Sequence, residues 1–177
     1  MQFSTRGAIA LVVALATFSA PQLRAAPHAR KVSLQKLPPN ARSIFDAAMT
    51  SMDAAWDPEA RLVRTPTGFS GHADTGHRAR YMVRETSNYA LGLLMRDGPG
   101  DRARAADALN AVVKEQFLDQ SKPWYGTFRR TPEEPDPAGS NTVMWTNYDP
   151  NWRVFIGTTF EIILIEYPDR IPSDLVF

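Results

Sequence analysis

Cysteine is absent from the 177 residues. The chain therefore carries no disulfide staple, no thiolate metal site and no cysteine nucleophile, and its core alone must hold the fold. Long apolar runs are missing too. The one near the N-terminus, Ala8 to Phe18, is too short to span a bilayer. Neither sign of charge is in excess: 20 Lys and Arg stand against 19 Asp and Glu. Without residues 1–25, which hold Arg6 and Arg24 and no acid, 18 basic residues face 19 acidic ones, a formal charge of −1. No basic patch points to nucleic acid, and no polybasic, heptad or repeat pattern points to a membrane surface or a coiled-coil partner. Strand-like alternation is also lacking, because the short apolar runs sit inside segments of helical length.

What is present at the N-terminus is an address. A short n-region with Arg6, the apolar stretch Ala8 to Phe18, and then small residues and prolines have the layout of a secretory signal. Cleavage is expected near Ala25, with Arg30-Lys31 as a second, dibasic processing point. The chain thus divides into a signal peptide (1–25), a polar, proline-containing linker (26–39) and a helical domain (40–177), and the protein is expected to be secreted and extracellular, off the membrane once the signal is removed.

Four helices are legible in the domain. Asn40 opens the first, about Ala41 to Trp56, with Ile44, Phe45, Ala48, Met52 and Trp56 on one face. A loop from Glu59 to Gly76, rich in Thr, Pro and Gly, holds Phe69, His72 and Asp74 and leads to His77. The second helix, about His77 to Arg96, is polar in its first half and almost wholly apolar from Tyr89 to Met95. Asp97-Gly98-Pro99-Gly100 stops it, and Asp101 caps a third helix, about Arg102 to Leu118, with a surface-helix pattern. Residues 119–148 form a long connection holding Trp124, Tyr125, Phe128 and Trp145, and long aromatic loops in a compact domain are often functional.

The fourth helix is the one around which the rest is organised. Asp149 is a good N-cap and Pro150 suits the first helical position, having no N–H to strand. Its first turn carries Asn151, Trp152 and Arg153, and the run from Val154 to Ile165 is apolar on nearly every face, so the helix is expected to be enclosed by protein. Glu161 in that run calls for a buried partner, best supplied by an arginine of the second helix. Pro168 ends the helix, and Ser173 and Asp174 look like the cap of another. Two fully buried helices need more neighbours than these, so the chain reads as the N-terminal portion of a larger helical array, with a compact four-helix domain as the alternative.

In arrangement, Asn88-Tyr89-Ala90-Leu91-Gly92-Leu93-Leu94, Trp124-Tyr125-Gly126-Thr127-Phe128 and Asp149-Pro150-Asn151-Trp152-Arg153-Val154-Phe155-Ile156-Gly157 resemble the opening part of an (α/α)6 toroid of the six-hairpin glycosidase-like superfamily, as in secreted uncharacterised fungal proteins of that type. The resemblance implies an all-α fold, helical hairpins forming part of a toroid-like array. It also implies a carbohydrate-active protein, glycoside hydrolase or polysaccharide lyase-like, inactive if the chain is truncated. Two alternatives stand beside it: a non-catalytic sugar-binding or interaction module, and a dehydratase or isomerase of a small hydrophobic alcohol.

In such a toroid the N-terminal ends of the inner helices open onto a cleft. One helix would present His77, Arg80, Tyr81, Arg84 and Glu85, the other Asp149, Asn151, Trp152 and Arg153, with Trp124, Tyr125 and Trp145 as stacking walls for a carbohydrate or other small substrate. Hydrolysis needs two carboxyl groups, for which Glu85 and Asp149 are the candidates. A lyase needs a base, His77 or Tyr81, with Arg80 or Arg84 neutralising a uronate. The plainer readings are that Asp149 only caps its helix, Glu85 only pairs with an arginine, and Trp145 and Trp152 only pack. His72, Asp74 and His77 match no strict ligand spacing, so no metal is assigned and no cofactor is implied. Arg129-Arg130 and Glu133-Glu134 read as a solvated surface.

Overall fold

The structure is a computed structural model that describes residues 34–65, 80–137 and 142–175. Phe69, His72, Asp74 and His77 lie outside the described residues. Helix α1 (Pro39–Ala55) leads into strand β1 (Trp56–Asp57), β2 (Leu62–Arg64) and β3 (Tyr81–Met82), and helices α2 (Val83–Arg96), α3 (Asp101–Lys114) and α4 (Asn151–Glu166) follow. Three-residue 3₁₀ turns lie at Leu34–Lys36, Pro168–Arg170 and Ser173–Leu175.

The all-α toroid expectation is overturned by the sheet. Its three strands are antiparallel in the order β1-β2-β3, with Trp56 opposite Val63, Asp57 opposite Leu62, Val63 opposite Met82 and Arg64 opposite Tyr81. The fold is mixed, four helices with a small antiparallel sheet. Strands of two or three residues are too short for a two-residue period to show, which is why the sequence hides them. Their turn is readable afterwards: Asp57 Oδ1 accepts from the N–H groups of Glu59 and Ala60 at 3.0 and 3.1 Å, and Arg61, at φ 58°, donates its N–H to the Asp57 carbonyl at 2.8 Å. Pairing with β2 holds Tyr81 and Met82 extended, so α2 starts at Val83 and not at His77.

Helix α2 is the centre of the core. It buries Val83, Thr86, Ser87, Tyr89, Ala90, Gly92, Leu93 and Leu94, with Ala105, Ala108, Leu109 and Val112 of α3 on one side and Ile156, Phe160 and Ile163 of α4 on another. Its attachment to the sheet is polar: Thr86 Oγ1 accepts from Val63 N–H at 3.0 Å and donates to the Met82 carbonyl at 2.6 Å. At its end Asp97 adopts a left-handed conformation and donates its N–H to Leu93 O at 2.8 Å. Arg96 then bridges two acids, donating to Asp53 Oδ2 at 2.6 Å and to both Asp101 oxygens at 2.8 Å, while Tyr89 OH donates to Asp53 and Arg104 donates to Tyr89. This network ties α1, α2 and α3 together.

Helix α4 corrects a second expectation. It buries only Trp152, Ile156, Thr159, Phe160 and Ile163, while Val154, Phe155, Ile162 and Ile165 are exposed. An apolar composition on all faces lets a helix bury any one of them, and here only one has a neighbour among the described residues. Glu161 is exposed and has no buried arginine partner. The turn at Ser173–Leu175 is 3₁₀, and Leu175 closes the core beside α3.

Candidate functional site

A cleft of about 650 Å³ opens where five separate segments meet. The end of α1 contributes Ser51, Met52 and Ala55, and β2 with the residue after it contributes Val63, Arg64 and Thr65. Met82, Arg84 and Glu85 come from the β3–α2 junction, Arg130 and Thr131 from the loop after α3, and Asp149, Trp152 and Phe155 from the start of α4.

The two helix starts position their polar groups differently. Glu85 lies in the first turn of α2, where a carboxylate is favoured by the free N–H groups. Arg84 folds back along the rim and donates through Nη2 and Nε to Glu85 Oε1, at 2.6 and 3.1 Å. The same guanidinium lies over the rings of Trp152 and Phe155, 5.3 and 5.5 Å from their centroids. Cation, carboxylate and aromatic wall are thereby locked together, while the other Glu85 oxygen, Oε2, is buried without a hydrogen-bond partner. Asp149 caps its own helix, Oδ1 accepting from Asn151 N–H at 2.9 Å, and its carbonyl accepts from Thr127 Oγ1 at 2.9 Å.

Arg130 is the residue that the sequence reading missed. The expected solvated surface at Arg129-Arg130 and Glu133-Glu134 is wrong for Arg130 and Glu134, which are 4% and 6% exposed. Arg130 Nη2 pairs with Glu134 Oε1, and Glu134 Oε2 accepts from the Arg130 N–H at 2.7 Å. The Arg130 carbonyl accepts from Val83 N–H at 3.2 Å, so one residue caps α2 and reaches the cleft. Its Nη1 is buried and unpartnered. The available signal was the four-residue spacing of opposite charges in a segment that is not helical, directly after Phe128, which is buried.

Glu85, Asp149, Arg84 and Trp152 are brought together in the cleft, and the other expected site residues among the described residues are not part of its lining. Tyr81 donates its hydroxyl to Asp57 Oδ2 at 2.9 Å, and that hydrogen bond, with burial, raises its pKa, so it is no base at neutral pH. Asp57 is held far below the usual carboxylate range, first by Arg64, whose Nη2 lies 2.7 Å away, and then by the turn N–H groups and Tyr81. Arg80 is exposed, its carbonyl accepting from Thr65 N–H. Trp124 packs with Phe117 and Tyr148 in a small separate cluster. Tyr125 is exposed and its carbonyl accepts from Arg153, Trp145 is exposed at φ 72°, and Asn151 is exposed on the first turn of α4.

Among the described residues no group of three or more His, Asp or Glu is placed to hold a metal ion, and no helix is long and apolar enough to cross a membrane. Residues 42–177 match a family model described as Domain of unknown function (DUF8769). The chain belongs to that family. No curated protein and no solved structure matches it. The DUF8769 match runs from within α1 to the last turn, so every residue that lines the cleft falls inside the family domain.

Proposed function

We propose that this DUF8769 chain is a secreted carbohydrate-binding protein whose ligand occupies the cleft between α1, β2 and the starts of α2 and α4. One observation carries the reading. Two aromatic residues, Trp152 and the exposed Phe155, line the same cavity as the charged residues Arg84, Glu85, Arg130 and Asp149. Sugar rings need both: C–H faces to lie on an aromatic ring and hydroxyls to bond to charged partners. The volume lies within the range of small-molecule sites. Ala8 to Phe18 and its flanks support secretion, which recovery from the medium of a chain lacking residues 1–25 would test.

Glycoside hydrolysis is the second reading, favoured by the presence of two carboxylates, Glu85 and Asp149, on one cleft. Binding is the better supported of the two, since Glu85 is already met by Arg84 and Asp149 by its own helix. A titration of the secreted chain with a panel of oligosaccharides tests both, calorimetry reading binding and a reducing-end assay reading turnover. Saturable binding that Phe155→Ala weakens about tenfold, the scale of one lost aromatic contact, is expected. Release of reducing ends that Glu85→Gln and Asp149→Asn abolish would promote hydrolysis, and no binding by any member would overturn the proposal.

A further inference from the structure

The outer face of α4 is apolar, and no other element covers it among the described residues. Val154, Phe155, Ile162 and Ile165 are 40–62% exposed, and a Cβ built at Gly157 would meet nothing within 4 Å. At about 100° per residue these positions, with Thr158 and Glu161 between them, fall in one arc of about 160°. Glu161 is the one charged residue in it. Single exposed apolar side chains are ordinary, whereas a contiguous apolar stripe marks a surface that something covers.

Three features make a second copy of the same face the fitting cover. The first is spacing. Phe155, Thr158, Ile162 and Ile165 follow one another at three, four and three residues, so the order reads the same when the helix is reversed. Two such helices laid antiparallel put Phe155 against Ile165 and Thr158 against Ile162, each contact made twice about a two-fold axis level with Phe160. The small Thr158 meets the large Ile162, so no layer is overfilled. Charge is the second feature: a foreign partner is selected by a pattern of charges around its site, and Glu161 alone supplies none. Its approach to Glu161 of the second copy is a like-charge contact at an exposed rim, where such terms are small. Area is the third. The exposed fractions of the four large residues amount to about two whole side chains on each copy. At roughly 150–200 Å² for one such side chain, the pair removes about 600–800 Å² of apolar surface from water. That is the core of an interface near the lower end of the stable range, about 1,200 Å² with its polar rim.

We propose that α4 pairs antiparallel with α4 of a second copy, and that the protein is a two-fold dimer held by Val154, Phe155, Ile162 and Ile165. Phe155 also lines the cleft, so each cleft of the dimer opens at the edge of the interface.

Sedimentation equilibrium of the mature full-length chain tests this. The expected result is a monomer–dimer equilibrium with a Kd on the order of 10 µM. A monomer at concentrations up to about 300 µM overturns the proposal. Open-ended association overturns it too, because a two-fold pair closes. Ile165→Lys puts two cations into the seam and should weaken the dimer at least about tenfold. Its exposed position leaves the far-UV circular dichroism unchanged, and a folded variant that dimerises like the wild type overturns the assignment to α4. Cysteine crosslinking reads the geometry independently of that variant, since the chain has no cysteine of its own. About the proposed axis, two copies of residue 161 lie about 3 Å apart along the helices and two copies of residue 154 about 18 Å apart. A disulfide needs Cα atoms within about 7 Å. Under mild oxidation Glu161→Cys should form a covalent dimer and Val154→Cys almost none; equal crosslinking of the two overturns the antiparallel pairing.

Discussion

Gly92 sits where α2 approaches α1, and the spacing of those helices sets one wall of the cleft, because α1 carries Ser51, Met52 and Ala55 into it. A Cβ built at Gly92 would lie 2.4 Å from Met49 Sδ and 3.4 Å from Cε. Comfortable contacts of this kind lie near 3.5–4.0 Å, so the methionine or the whole of α1 must give by more than about 1 Å. Two effects of Gly92→Ala oppose each other. Alanine in a helix interior is better than glycine by about 1 kcal/mol, whereas one extra methyl in a filled core costs about 1–3 kcal/mol. Met49 is the one α1 residue that is fully buried, so its side chain has little room to turn away. We expect a net loss of about 1 kcal/mol, a fall in Tm of roughly 3 °C for a domain of this size. Met49→Ala alone should cost about 2–4 kcal/mol through the cavity it leaves. In that background Gly92→Ala meets no sulfur and should stabilise by about 1 kcal/mol, giving a coupling of about 2 kcal/mol. Urea unfolding of the four proteins, followed by far-UV circular dichroism, measures the cycle. Stabilisation by Gly92→Ala in the wild-type background, or additivity of the two changes, would refute the close-approach argument.

The Arg96 network makes two further predictions. Asp53 is held below the usual carboxylate range first by the Arg96 hydrogen bond, against its own burial; for Asp101 burial pushes upward, and Arg96 and the Gly98 N–H more than offset it. Folded pKa values below the unfolded ones mean stability that is full above about pH 4 and is lost as the pH falls through the lower, folded values. Arg96→Met should lower the neutral-pH plateau by about 2–3 kcal/mol, less than a fully buried pair because Asp53 is partly exposed, and should flatten the acid limb in pH-dependent melts. Burial, and then the hydrogen bond to Asp53, push the Tyr89 phenol up to about 12. Its contribution is complete below the unfolded value near 10 and is lost as the pH rises through about 12; Tyr89→Phe should erase that alkaline slope.

The helices were legible because each carries its own punctuation. Asp97-Gly98-Pro99-Gly100 separates α2 from α3, with Asp97 and Gly100 both taking positive φ, and Asp149-Pro150 opens α4 with Asp149 bonding the Asn151 N–H. Half of the polar cleft followed from those starts, since a residue in the first turn of α2 or α4 is placed by its helix alone. The sheet was not legible, because its seven residues are selected by partners and not by a local period: Val63 is extended because it lies between Trp56 and Met82 and gives its N–H to Thr86. The enclosure of α4 was misread for the opposite reason. Its apolar residues go all the way round, and composition alone does not say which of several equivalent faces finds a neighbour.

Arg130 shows why the remaining half of the cleft lay beyond a sequence argument. It is carried by a segment with no helix or strand, and a charged residue in such a segment is exposed unless something specific buries it. Here three separate bonds do so. Gln116 and Phe128 form an isolated bridge that returns the chain to the end of α3, the Arg130 carbonyl takes the first N–H of α2, and Glu134 closes on the Arg130 guanidinium and N–H together. The bond to Val83 joins residues far apart in the chain, whose proximity exists only once this loop has packed against the start of α2. Burying the Arg130–Glu134 pair in place of two apolar residues brings little stability, since desolvation offsets most of the attraction. What the pair does achieve is to fix the loop against the cleft, since the residue that binds Glu134 also gives its carbonyl to the Val83 N–H. A charge kept at that cost specifies position: replacing both Arg130 and Glu134 by apolar residues should cost little stability, and replacing Glu134 alone should cost about 3–5 kcal/mol by leaving the buried guanidinium unpaired, as urea unfolding of the two variants would measure.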